Sequence, residues 1–305
     1  MNHLPLATAQ FPVSADIQSN LAHILRQMQE AKDAGAALIH FCEGALSGYI
    51  PIDRPNFDGY NWEQLTSATE SVMAKAQQLG IWVILGSAHP LSPPHKPHNS
   101  LYLIDHQGKL ADRYDKRFCA GRNEQDEELA HFTPGDHPVV FEVNGWKCGL
   151  LICHEYRYPE LYRELVKEGA QVVFHSFHAA SMDADRQQFM ESQVGSENFA
   201  HNPGRTLPEI TMPATLISYA ANNALWISAA NSSAPESCFG AFMIRPDGVI
   251  TGRLPKSQPA LLISQLDPEA AFYDSTKAWR RRAMEGQLHS GTLVEDIRAK
   301  DRWNL

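Results

Sequence analysis

Short apolar runs alternate with stretches of helical period along the N-terminal part of the chain. Leu4 to Phe11 reads as a strand. The stripe Leu21, Ile24, Leu25, Met28 and Ala31 that follows reads as one face of a helix, with Gly35 placed to stop it. Ala36 to Phe41 is a second buried run and ends in Cys42 and Glu43. Gly44 to Tyr60 is loop-like, rich in Gly, Pro, Asp and Asn. A second helix is expected from about Glu63, with Leu65, Ala68, Val72 and Leu79 on one side and Gly80 closing it, before a strand over Ile81 to Ser87. This strand–helix–strand rhythm predicts crossovers and a largely parallel sheet.

Hairpins then intrude. Leu101 to Ile104 and Lys109 to Tyr114 flank His106-Gln107-Gly108, and Gly240 to Ile244 and Val249 to Gly252 flank Pro246-Asp247-Gly248. Val139 to Val143 and Trp146 to Ile152 flank Asn144-Gly145, a strong two-residue hairpin signal. Sheets that mix crossovers with hairpins usually bury one face on helices and the other on a second sheet. The run Gly149 to Ile152 stops at Cys153, a polar segment follows, and Pro159 opens a helix over Glu160 to Lys167. Ser176 to Met212 is a long polar stretch that no simple periodicity explains. It is read either as rimming or covering a pocket near the strand end at Phe174 to Phe177, or as a surface excursion or dimer contact. The tail from Pro268 carries the basic cluster Lys277-Ala278-Trp279-Arg280-Arg281-Arg282, read as a solvated helix end or a subunit contact.

Composition narrows the classes. With 20% charged and 43% hydrophobic residues the chain is expected to fold. A net charge of −9 disfavours nucleic acid and anionic membranes, and no apolar stretch is long enough to span a bilayer. The N-terminus does not read as a secretory signal. Five scattered cysteines without a CxxC fit a reduced, cytoplasmic chain better than a disulfide framework or zinc site. Histidine pairs at 95 and 98 and at 175 and 178 lack a clear third ligand, so no metal site is expected.

Glu43, Lys116 and Cys153 each stand at or just after the end of an expected strand. A carboxylate, an ammonium and a thiol in that placement suit nucleophilic attack on a carbonyl or nitrile carbon. A free thiol is mostly protonated at neutral pH and needs a base or a nearby cation. A partly desolvated carboxylate can be that base. A lysine and the backbone N–H after the nucleophile, here that of His154, can stabilise the oxyanion, where losing one donor typically costs about 10² to 10³ in rate.

On these residues the sequence resembles the nitrilase superfamily of carbon–nitrogen hydrolases. The motifs are Phe41-Cys42-Glu43 with Leu46-Ser47-Gly48-Tyr49, Tyr114-Asp115-Lys116-Arg117-Phe118, and Cys153-His154-Glu155-Tyr156-Arg157-Tyr158-Pro159-Glu160. Ala221-Asn222-Asn223, Ala230-Asn231, Phe239-Gly240 and Pro246-Asp247-Gly248 are also similar to the family's C-terminal half. The resemblance implies an α/β fold of four-layer αββα type over residues 1–267, with 268–305 as an extension packing on the domain or a partner subunit. It implies a homodimer or higher homo-oligomer and a Glu-Lys-Cys triad of Glu43, Lys116 and Cys153. It also implies a further glutamate ahead of Thr133-Pro134-Gly135, best taken by Glu128, with Glu127 as fallback. The implied activity is hydrolysis of a small-molecule amide or carbamoyl group without metal or cofactor. His154, Tyr49 and Phe177 are expected at the oxyanion and substrate. Family nitrilases usually place Trp after the nucleophile, where this chain has His154, so nitrile hydrolysis ranks second. A catalytically silent binding protein of the same fold is the alternative from another class.

Overall fold

Two six-stranded sheets stack face to face. The computed structural model describes residues 2–303 apart from 122, 124, 126 and 181. One sheet holds β1 (Leu4–Gln10), β2 (Leu38–His40), β3 (Trp82–His89), β4 (His98–Ile104) and β5 (Leu110–Asp115), joined at its edge by the late β12 (Ala260–Leu266). The other holds β6 (Val140–Val143), β7 (Trp146–Ile152), β8 (Val172–Ser176), β9 (Trp226–Ala230), β10 (Phe242–Ile244) and β11 (Ile250–Arg253). Their orders are β12-β1-β2-β3-β4-β5 and β11-β10-β9-β8-β7-β6. In each sheet three central strands run parallel and antiparallel strands flank them, so crossovers and hairpins mix as the turn signals predict, with β12 the exception.

Side-chain alternation sets the layers. Leu4, Leu6, Leu38 and Ile84 pack with the second sheet, while Ala7, Ala9, Ile39, Val83 and Leu85 pack under α1 (Ile17–Asp33) and α2 (Trp62–Leu79). Helix α3 (Pro159–Lys167) lies so close to β7 that a Cβ on Gly149 would sit 2.8 Å from Leu165. Helix α5 (Leu207–Asn223) buries Leu216 and Ala220 against the same sheet. The result is an αββα sandwich. Where the sheets meet, a polar seam is fully paired: Thr8 Oγ1 lies 2.7 Å from Ser228 Oγ, and His40 reaches Ser228 Oγ at 2.9 Å and Ser176 Oγ at 2.8 Å.

The Asn144-Gly145 turn has positive φ at both residues, 53° and 84°, as a type I′ hairpin requires. Three elements differ from the sequence expectation. The stretch after Ser176 contains α4 (Ala184–Val194) and the N-terminal half of α5, and β12 closes the first sheet. Helix α4 buries no side chain, so no apolar stripe marks it; α5 carries Pro213 in its interior, which reads as a break. The tail begins by packing, with Phe272 against Trp226 at 5.3 Å and Thr276 Oγ1 donating to Asn222 O at 3.2 Å. Beyond the short α6 (Arg280–Met284), Leu288, Leu293, Val294, Ile297 and Trp303 are exposed. Among the described residues no helix is long and apolar enough to cross a membrane.

Candidate active site

Strand ends of both sheets deliver the charged set to one buried place. Glu43 sits in the turn after β2, Lys116 directly after β5 and Cys153 directly after β7. Close backbone approach fixes the first two turns. A Cβ on Gly86 would sit 2.0 Å from Cys42 O, and one on Gly135 would sit 2.3 Å from Asp115 O. Lys116 is further held by its N–H donating to Asn99 O at 2.8 Å and its carbonyl accepting from Gly135 N at 2.9 Å. Cys153 has φ 42°, in the left-handed region, so the thiol stands on a strained turn between strand and helix. His175, on the helix-facing side of β8, holds that turn: its Nε2 lies 3.1 Å from Cys153 O and its Nδ1 2.6 Å from Tyr162 Oη. The carbonyl only accepts, so Nε2 carries the proton and Nδ1 accepts from the tyrosine hydroxyl.

The four groups form one electrostatic unit. Lys116 Nζ donates to Glu43 Oε1 at 2.8 Å and to Glu128 at 2.7 to 2.8 Å. Asn99 Nδ2 donates to Glu43 Oε1 at 2.8 Å and Glu128 Oε1 at 2.9 Å, bridging the two carboxylates. The Ala120 N–H holds Glu128 Oε2, and the His178 N–H holds Glu43 Oε2 at 2.9 Å. Glu43, Lys116 and Glu128 are each at most 1% exposed, so these charges interact in a medium of low polarity. Burial alone would depress the Lys116 ammonium, but Glu128 and Glu43 outweigh it and hold the pKa well above its usual value. Burial would likewise raise Glu128, yet Lys116 and the hydrogen bonds on its oxygens bring it below the ordinary carboxylate range. The Cys153 thiol lies in the field of the same charges and beside the His178 N–H; burial first, then Glu43, pushes its pKa well up, against Lys116. The resting group is therefore a neutral thiol.

Of the residues singled out in the sequence, Glu43, Lys116, Glu128 and Cys153 come together. Glu127 is exposed, whereas Glu128 is buried. The Tyr49 ring lies 5.9 Å from Lys116 Nζ, and burial with Glu128 and Glu43 keeps its hydroxyl protonated. His154 begins the turn after the thiol, and burial, with Lys116 and Arg157, lowers its pKa to about 4. The Phe177 side chain packs in the core, with His175 at 4.3 Å, Phe239 at 5.4 Å and Tyr156 at 6.3 Å. That is a packing role for the ring, and the neighbouring His178 backbone is what meets Glu43. No group of three or more His, Cys, Asp or Glu among the described residues is placed to hold a metal ion.

Three participants escaped the sequence reading. Asn99 looks like an ordinary polar residue at a strand start. His178 was weighed only as a metal ligand. Glu155 sits in the nucleophile motif without an evident role, yet its buried carboxylate accepts from Ile152 N at 2.7 Å, Tyr114 Oη at 2.7 Å, Arg117 N at 2.8 Å and Phe118 N at 3.3 Å. One side chain thus ties the Cys153 turn to the Lys116 turn. The signal was partial: a carboxylate two residues after Cys153, so near the end of a buried strand, has to find donors if it is buried.

An αββα sandwich with Glu, Lys and Cys gathered from strand ends of both sheets defines a class of C–N bond hydrolases. The chain belongs to the carbon–nitrogen hydrolase family, whose profile matches residues 5–273. It is 26% identical over 185 residues to the deaminated glutathione amidase of Yersinia enterocolitica, covering 57% of this chain and 62% of that one. It is 23% identical over 276 residues to the N-carbamoylputrescine amidase of Arabidopsis thaliana, covering 86% of each. The amidase of Nesterenkonia sp. AN1, in a cysteine-to-alanine mutant bound to butyramide, shares the fold with a TM-score of 0.69 at 25% identity, over 87% of this chain and 91% of that one. The chain spans 31% to 62% of the length of four of the curated relatives that it matches.

Proposed function

We propose that the protein is an amidase-type hydrolase that cleaves a small amide or carbamoyl compound through a thioester on Cys153. The observation that carries this reading is the buried Glu43–Lys116–Glu128 unit in whose field the Cys153 thiol lies. Glu43 takes the thiol proton as sulfur attacks the carbonyl carbon. Lys116 and the His154 N–H stabilise the oxyanion, and Glu128 keeps the ammonium charged and aimed. Glu43 returns the proton to the departing nitrogen, so ammonia or an amine leaves and a thioester remains. Water then gives a proton to Glu43 and attacks the thioester, releasing the acid and restoring the thiol. The names of the Yersinia and Arabidopsis relatives, both amidases, support this choice of bond.

The test joins two measurements: intact mass after an electrophilic amide probe, and ammonia release across amides, carbamoyl compounds and nitriles. Expected are one adduct on the wild type, none at that site in Cys153→Ala, and ammonia from amides or carbamoyl compounds. An identical adduct in Cys153→Ala overturns the assignment of the nucleophile. Ammonia from nitriles alone overturns the choice of bond.

A further inference from the structure

His178 follows β8 by two residues, and its backbone N–H already meets Glu43 and the thiol. Its side chain has a different situation. The residue is 3% exposed, yet among the described residues Nδ1 has no partner and Nε2 has only a poorly aligned contact with Asp53. The ring lies against Tyr49, with centroids 5.1 Å apart, and Tyr49 in turn stands over Lys116. Nε2 is 3.3 Å from Asp53 Oδ2, an oxygen that also accepts from Tyr49 N at 2.7 Å. Buried polar nitrogens are nearly always paired, and an exception beside reacting groups is where a ligand completes the bonding. Asp53 only accepts, so it favours the proton on Nε2 and leaves the Nδ1 lone pair as an acceptor.

Resting on the amidase reading above, we propose that His178, oriented by Asp53, is a substrate-binding residue whose Nδ1 accepts a hydrogen bond from an N–H or O–H on the acyl side of the amide. The charges around it restrict the substrate further. Glu43 and Asp53 meet His178 and Glu128 meets its neighbour Tyr49, and Lys116 is shared between Glu43 and Glu128. A substrate carboxylate would meet repulsion without a free cation among the groups named here. The preferred class is an amide with an uncharged or cationic donor next to the reacting carbon.

The experiment compares 2-hydroxypropionamide with isobutyramide, which puts a methyl group where the first has its hydroxyl. A site built to bond a hydroxyl discriminates strongly against the analogue lacking it. The wild-type kcat/KM ratio is expected to favour the hydroxyamide by about tenfold or more, mainly through KM. In His178→Leu the ratio should fall toward one, and Asp53→Asn should lower it in the same direction. His178→Asn, which retains an acceptor near the Nδ1 position, should recover part of it and serves as the second variant if His178→Leu does not fold. A ratio unchanged in the folded variants, or a wild type that prefers succinamate, overturns this assignment while leaving the amidase reading intact. No ammonia from any amide and no Cys153 adduct overturns both.

Discussion

Replacing Glu155 by glutamine tests whether one carboxylate keeps Cys153 and Lys116 in register. Three donors converge on Oε1 (Tyr114 Oη, Arg117 N, Phe118 N) and one, Ile152 N, on Oε2. Glutamine has the same shape but a single acceptor oxygen. With that oxygen toward Tyr114 it turns an N–H against the Ile152 N–H; flipped, it loses three bonds instead of one. The better arrangement leaves a buried donor unsatisfied, about 1 to 3 kcal/mol, and the melting temperature should fall by about 2 to 6 °C. Burial raises the Glu155 pKa even against these bonds, so removing the charge offsets part of the loss and the lower end is expected. The larger effect is geometric. Ile152 precedes Cys153 and Arg117 follows Lys116, so a shift on the order of 1 Å in either turn separates groups that act together, and such shifts can cost about 10² in rate. The assay is kcat for ammonia release beside a circular-dichroism melt. A variant that melts earlier yet turns over within about two-fold of the wild type refutes the positioning argument and leaves Glu155 as mere packing support.

Other consequences are as direct. Since burial and Glu43 hold the Cys153 thiol well above its usual pKa, its alkylation by iodoacetamide, followed at that cysteine by peptide mass, should keep accelerating beyond pH 9; a plateau below pH 8 would contradict a neutral resting thiol. Burial lowers His40 and His175 to about 3, so below the unfolded value of 6.5 the unfolded chain binds protons that the folded one does not, and stability is lost as pH falls toward 3. At pH 5 the two rings together account for about 4 kcal/mol, and urea midpoints that match at pH 7 and pH 5 would rule this out. Replacing residues 184–205 by a short Gly/Ser linker keeps Thr206, which with Glu209 caps α5. Because α4 buries no side chain, the melting temperature should barely move while kcat/KM shifts between small and bulky amides; an unchanged substrate profile argues against any covering role for this segment.

What the sequence made legible follows from where each signal originates. Glu43 and Cys153 stood out because each follows an apolar run at its end, and Lys116 because it follows the second strand of an expected hairpin; a strand's end is the place where polar groups emerge. The Asn144-Gly145 turn was readable because two consecutive positive φ values leave few residue choices. The groups missed share the opposite property: their importance lies in partners distant along the chain. Asn99 matters through Glu43 and Glu128, Glu155 through Tyr114 and Arg117, and β12 through β1, with Leu4 paired to Leu266. None of these relations leaves a periodic trace. Phe177 shows the converse, since an aromatic residue at a strand end satisfies the same local pattern whether its ring lines a pocket or packs in the core, and only the positions of His175, Tyr156 and Phe239 decide. The backbone of the next residue, not that ring, carries the contact with Glu43. Local pattern therefore identified which charged groups and which thiol meet at the candidate site, and the long-range hydrogen bonds identify what holds them there.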